Sequence, residues 1–262
     1  MLFLLFVFMQ YSQLVSLYDE LASTSKRLLK VEILAKFLRK LKNSKGDDEW
    51  IYLLKGRTFP DYDPREFGIS DKLVVRAIIK SSGVSQSTIT KQIRKVGDLG
   101  EIAQKNIGAK KQSTLFSSKL STGKVFENLK KLVAIEGKGS VDKKLGLIVQ
   151  LLNSSSAGEA KYIVRTLLND LRIGVADGVI RDSLASAFLS VDKESSELVE
   201  SAYDLANDYA QVLQAAAKSR RALLAISAIP GRPLKVMLPV KVTDIDEAFR
   251  ICGSPCAVEH KY

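Results

Sequence analysis

The sequence predicts a mainly α fold, a run of many helices followed by a short β-containing stub. Three observations predict it. All six prolines stand at its edges, Pro60 and Pro64 before a long proline-free stretch and Pro230, Pro233, Pro239 and Pro255 after it. A proline inside a helix costs about 3 kcal/mol, so a long stretch without one is what a helical domain permits. Apolar residues recur there at three-four spacing, as helices that bury one face require. The pattern then stops at Ile229-Pro230-Gly231-Arg232-Pro233, where two prolines and a glycine cannot continue a helix.

Taken in order, Met1–Phe8 is wholly apolar. As a helix it would span about 12 Å, far short of a hydrocarbon core of about 30 Å. It has neither a basic leader nor a small-residue cleavage site. Residues 1–9 are therefore expected to be a non-native or disordered extension rather than an anchor. Leu28, Val31, Leu34, Leu38 and Leu41 set one helical face, and Leu198, Ala202, Leu205, Tyr209, Val212 and Ala216 another. Ser156-Ala157-Gly158-Glu159 has the form of a capping box, opening a helix that carries Tyr162 and Arg165. Residues 10–229 are expected to be all-helical and 230–239 a linker. In 240–262, Ile245–Ile251 reads as a short helix and Cys256–Tyr262 as a strand; Leu234–Leu238 reads as extended. On that strand Glu259 and Lys261 share one face, and His260 and Tyr262 the other.

Composition narrows the chemistry. One histidine excludes mechanisms that need two, and two cysteines cannot make a disulfide framework or a four-thiolate zinc site. Cys252 and Cys256 read as buried small residues, and His260 as a packing or surface residue. The net charge of +11 points to an anionic partner, nucleic acid before membrane. From Lys105 to Lys144 ten lysines face three acidic residues, a local excess of +7. Such a cluster neutralises phosphates without reading sequence; the competing reading is a solvated helix surface. Phe116 and Phe126 are the only aromatic residues in the stretch, which favours duplex backbone over stacked single strands. With no signal sequence and two free thiols, the expected location is the cytoplasm.

Two glycine turns lie among basic residues. One runs through Gly97 and Gly100 in Lys95-Val96-Gly97-Asp98-Leu99-Gly100; the other through Arg172 and Gly174 in Leu171-Arg172-Ile173-Gly174-Val175-Ala176-Asp177. Glycine lets the backbone approach a phosphate, and the first amides of the next helix can bond its oxygens. A plain helix–helix turn has the same local sequence. With Lys110 and Lys111, these are the candidate DNA contacts.

The chain closes on Glu259-His260-Lys261-Tyr262, behind the basic helical region and the Pro-Gly-Arg-Pro linker. Here it resembles the ATP-dependent DNA ligases of the archaeal and eukaryotic type, whose nucleophile motif reads Glu-x-Lys-Tyr-Asp-Gly. Gly97-Asp98-Leu99-Gly100, Leu171–Asp177 and Ile229–Leu238 look like that family's DNA-binding region and interdomain joint, so the resemblance covers nearly everything after Met9. It implies a DNA-binding domain of about a dozen short helices, then the start of a nucleotidyltransferase (adenylation) domain. Lys261 would be the nucleophile that takes AMP from ATP, and Glu259 would accept from the adenine amino group. The AMP would pass to the 5′-phosphate of a nick in duplex DNA, with Mg²⁺ offsetting phosphate charge; none of its ligands is assignable. The family acts in replication, repair and recombination.

The motif's Asp-Gly and the motifs that follow it are missing from these 262 residues. The expectation is therefore a truncated chain that binds DNA as a monomer but does not seal nicks. A sliding-clamp contact is conceivable on the resemblance alone. The alternative is a non-enzymatic helical duplex-DNA-binding module, which would have no need of Glu259 and Lys261.

Overall fold

The computed structural model describes residues 9–41, 48–109, 120–236 and 241–259. Among them are thirteen α-helices and one 3-10 helix. In order these are α1 (Tyr11–Ala22), α2 (Arg27–Leu41), the 3-10 helix (Asp48–Lys55), α3 (Asp71–Ser82), α4 (Gln86–Val96), α5 (Leu99–Gly108) and α6 (Thr122–Ala134). There follow α7 (Ser140–Ser154), α8 (Ala157–Leu167), α9 (Asp177–Phe188), α10 (Lys193–Ala206), α11 (Tyr209–Lys218), α12 (Arg220–Leu224) and α13 (Ile245–Cys252).

Helix ends follow local chemistry. Ser70, Ser85, Ser121, Asp192 and Asp244 each accept an amide of the helix they precede. The capping box forms, with the Ser156 amide donating to Glu159 Oε2 at 2.7 Å and the Glu159 amide to Ser156 Oγ at 3.4 Å. Gly83 and Gly97 close α3 and α4 in the left-handed region, at φ of 73° and 70°. The chain start is tied down as well. Tyr11 N donates to the Leu120 carbonyl and Thr122 N to that of Met9, each at 2.8 Å, which joins the openings of α1 and α6.

One contiguous apolar core runs from Tyr11 to Leu223. α5 lies along α8, α2 along α9 and α3 along α7. α1 is packed against α2, α6 and α8, and its Tyr18 hydroxyl donates to the Leu53 carbonyl at 2.9 Å, holding the 3-10 helix. This core is what positions the surface turns described below.

Several expectations need correction. Leu28 is 78 % exposed, because Lys30 rather than Leu28 turns inward at that end of α2. Residues 198–216 are two helices. Asn207, at φ 50°, ends α10, and Asp208 restarts the chain as α11 by accepting from Ala210 N (2.9 Å) and Gln211 N (3.2 Å). The stub differs most. Ile245–Ile251 is helical, yet no strand forms in 234–236 or 256–259, and the only β pairing among the described residues is the Gln10–Ser121 bridge. A strand needs a second strand alongside it to form a ladder, and none of the described residues supplies one. Cys252 is exposed and Cys256 half-buried, since no residue of α13 is buried and the tail gives them no core. Met1–Phe8, Lys110, Lys111, Phe116, His260, Lys261 and Tyr262 lie outside the described residues.

The chain after Pro230 does not leave the helical body at once. Arg232 Nη1 donates to Gln211 Oε1 at 2.7 Å, and its guanidinium sits 4.4 Å from the centre of the Tyr62 ring. Asn207 Nδ2 donates to the Pro233 carbonyl at 3.3 Å, and Lys235 N to the Asp204 carbonyl at 3.1 Å. The Lys235 ammonium lies 4.7 Å from the Tyr203 ring centre, between Asp204 (3.7 Å) and Asp177 (3.8 Å). Residues 232–235 thus form a strap. Limited trypsin digestion of the native chain should cut after Lys235 at least about tenfold more slowly than after Arg250, which sits in a short unsupported helix. Arg232→Ala should speed the Lys235 cut several-fold; equal rates at both bonds in the parent chain would contradict the strap.

Candidate nucleic-acid interface

The two glycine turns, over 70 residues apart in sequence, meet in space. The first is the α4–α5 corner. Gly97 is exposed and nothing lies within 4 Å of where its Cβ would be. Arg94 and Lys95, in the last turn of α4, are exposed beside it. Asp98 caps α5, with Oδ1 accepting from Gly100 N at 2.8 Å and Glu101 N at 3.3 Å. Those amides are therefore taken by the protein's own carboxylate.

The second corner joins α8 to α9. Asn169 (φ 53°), Arg172 (φ 55°) and Gly174 (φ 62°) all adopt the left-handed region there. Such a conformation costs a non-glycine residue on the order of 1 kcal/mol, so the surroundings must enforce it. Leu171 and Ile173 are buried and anchor the turn from within. Lys30, buried in α2, donates to the carbonyls of Ile173 and Gly174, the latter at 3.0 Å. Burial pulls its ammonium below its ordinary pKa. A Cβ on Gly174 would collide with that ammonium. Arg27, one turn earlier, holds the Gly178 carbonyl at 3.3 Å and pairs with Asp182.

Asp98 joins the corners. Its Oδ2 lies 2.6 Å from Arg165 Nη2 and 3.3 Å from Arg172 Nη1, and Arg165 Nη1 also donates to the Leu171 carbonyl at 3.4 Å. Burial raises the Asp98 pKa, but the hydrogen bond and charge of Arg165, the Glu101 amide and the charge of Arg172 together hold it below the usual carboxylate range. It is therefore an anion at neutral pH. Breaking one partner of such a buried pair costs about 3–5 kcal/mol. The Arg172 guanidinium is half exposed and also pairs with Asp170 at 2.8 Å. It is the one cation of the network that reaches solvent.

Gly100 has a different place from Gly97. It is buried where α5 meets α8, and a Cβ there would stand 2.7 Å from Arg165 Cγ and 2.9 Å from the Lys161 carbonyl oxygen. Its amide is already bonded to Asp98, so its observed role is close packing. The basic stretch is uneven too. Lys105, Lys124, Lys131, Lys138 and Lys143 are exposed, whereas Lys130 pairs with Glu49 at 2.6 Å over the Phe126 ring and Lys144 donates to the Phe67 carbonyl at 2.9 Å. Glu259 is exposed on an irregular segment. Among the described residues no helix is long and apolar enough to cross a membrane, and no group of three His, Cys, Asp or Glu side chains could hold a metal ion.

Residues 10–185 match the family described as DNA ligase N terminus. The chain belongs to that family. It is 36 % identical over 255 residues to a DNA ligase of Nanoarchaeum equitans, covering 97 % of this chain and 44 % of the relative. It is 35 % identical over 259 residues to a DNA ligase of Thermococcus fumicolans, covering 97 % of this chain and 45 % of the relative. A DNA ligase of Methanothermobacter thermautotrophicus is 39 % identical over 244 residues, 93 % of this chain and 43 % of the relative. The chain thus spans less than half the length of these curated relatives. Both glycine corners fall inside the matched ligase region.

Sequence reasoning missed Asp98, Arg165 and Lys30. The signal for Arg165 was a charge on the inward face of α8 between Tyr162 and Thr166, both buried. The signal for Asp98 was an aspartate directly after a helix-ending glycine, an N-cap position.

Gly100→Ala tests the packing. Helix propensity favours alanine by about 1 kcal/mol. The overlap with α8 should reverse that sign and cost about 2 kcal/mol, within the range for overpacked sites. Gly97→Ala, strained by φ alone, should cost about 1 kcal/mol. Urea unfolding of the two variants checks the order; a Gly100→Ala chain as stable as the parent would contradict the close approach of α5 to α8.

Proposed function

We propose that this chain is the duplex-gripping part of an ATP-dependent DNA ligase, and that the joined glycine corners face the DNA backbone. The observation that carries the reading is the joining of the two corners by Asp98, which pairs with the half-exposed Arg172 at 3.3 Å while Gly97 and Gly174 are exposed in the two turns. An arginine fork suits phosphate oxygens, and an exposed glycine turn lets a phosphate come close without a side chain in the way. Lys110 and Lys111, next along the chain after α5, and the exposed lysines up to Lys143 add charge without sequence information. The net charge of +11 supports an anionic partner.

In the whole ligase, Lys261 is proposed as the residue that accepts AMP from ATP, and Glu259 as the acceptor for the adenine amino group. Lys261 must be neutral to attack, so its surroundings in the complete site must lower its pKa. Mg²⁺, when bound, would offset phosphate charge; no ligand for it is assigned among the described residues. The substrate proposed is nicked duplex DNA, bound by one copy of the chain. The 262 residues by themselves are proposed to bind DNA without sealing it. In-line attack needs the phosphorus held within about 3.5 Å of the nitrogen, and the family's groups for that follow the motif's Asp-Gly.

Two measurements test this reading. Affinity for a duplex of arbitrary sequence should fall steeply with salt, about 0.9 log units per log unit for each phosphate engaged. Replacing Lys110, Lys111 and Lys131 together by Ala should lower that slope by about two to three; an unchanged slope and affinity would count against the basic stretch. Lys130 is left alone because its ammonium is committed to Glu49. With α-labelled ATP and Mg²⁺, the 262-residue chain should stay unlabelled, whereas a polypeptide continued through the family's remaining motifs should label and its Lys261→Arg variant should not. Label retained in that variant would show the nucleophile wrongly assigned.

A further inference from the structure

We propose that Asp98 is the positioning residue for DNA binding by this domain, holding Arg172 and the two corners as one phosphate-binding unit without touching DNA itself. The inference rests on the reading that this surface faces the duplex. Asp98 is nearly inaccessible, at 5 % exposure, so it cannot be a contact. Its two oxygens do different work. Oδ1 fixes the start of α5 through Gly100 N and Glu101 N, while Oδ2 receives Arg165 from α8 and Arg172 from the second corner. Arg165 then reaches on to the Leu171 carbonyl, beside Arg172. One carboxylate thus sets both the separation of the corners and the direction of the outward guanidinium.

Besides Asp98, Arg172 is held within its own turn, where Asp170 Oδ2 accepts from Nε and pairs with Nη2, each at 2.8 Å. It stands at φ 55°, its side chain is 47 % exposed, and its other partner is the exposed Asp170 on its own loop. A long side chain left free on a turn would have to be ordered at the moment of binding, which weakens each contact it makes. Holding it beforehand removes that cost.

The test separates positioning from simple charge. Asp98→Asn keeps a good N-cap through its carbonyl oxygen but presents an amide to the two guanidinium groups. It also removes a negative charge near the DNA face, so electrostatics alone predicts tighter binding. Positioning predicts the opposite, a loss on the order of fivefold with the salt slope lowered by about one, matching Arg172→Ala. The combined variant should bind no worse than the weaker single one. Thermal unfolding first establishes that each variant is folded at the assay temperature. If Asp98→Asn is not, Arg172→Lys decides at a half-exposed site. It retains the charge but not the planar fork, and should lose most of what Arg172→Ala loses.

Unchanged affinity in Arg172→Ala would overturn the DNA-facing reading of this corner, and the inference with it. A loss in Arg172→Ala beside equal or tighter binding in Asp98→Asn, or losses that multiply in the combined variant, would overturn the inference alone. Arg172→Lys binding as tightly as the parent chain would do the same.

Discussion

A carboxylate buried among helices has to be compensated in full, and the surface of this domain depends on how Asp98 meets that requirement. Its oxygens are met by two backbone amides and two guanidinium groups drawn from α5, α8 and the loop before α9. The four donors come from three stretches of chain, so satisfying one buried anion also fixes where three elements meet. Gly100 makes the arrangement possible by leaving room for Arg165 and the Lys161 carbonyl against α5. Lys30 completes it from α2, tying down Ile173 and Gly174. The exposed turns at Gly97 and Gly174 are held from within by this bonding.

The same logic governs the start of α9. Asp177, its first residue, accepts from Lys55 at 2.8 Å and lies 3.8 Å from Lys235. Tyr203 and Tyr209 stack there with ring centres 3.9 Å apart, and Asp61 takes the Tyr203 hydroxyl as well as Lys55. Burial first, then hydrogen bonding to Asp61, pushes the Tyr203 phenol far above its ordinary pKa, so it stays a donor across the physiological range. The second glycine corner and the strap at 232–235 therefore share one helix. If the second corner faces DNA as proposed, α9 carries both that turn and a contact of the strap.

Most of the helical framework was legible because it is local. Periodicity, the Ser156–Glu159 box and the proline boundaries each concern residues within a few positions of one another. Most of the failures share one physical cause, partners distant in sequence. Leu28 belonged to a good stripe, but Lys30 won the inward position by reaching carbonyls 143 and 144 residues away. Asp98 read as part of a turn, and its decisive partner Arg165 is 67 residues on. Gly100 read as an open turn residue, while the neighbouring helix that encloses it left no mark on the local sequence. The Asn207–Asp208 break was readable as C-cap and N-cap chemistry, yet the apolar stripe ran through it. Cys256–Glu259 alternates as a strand would, but alternation supplies no partner for the ladder. Of the candidate site, the two corners were legible as glycine turns among basic residues; that they form one surface was not.

The two corners are proposed to engage one duplex together. Amide hydrogen exchange of the 262-residue chain, with and without a nicked duplex in low salt, tests it most directly. DNA should slow exchange over residues 94–98 and 171–175 in parallel, at the same DNA concentration. Protection of one corner without the other, or protection confined to regions remote from both, would contradict it.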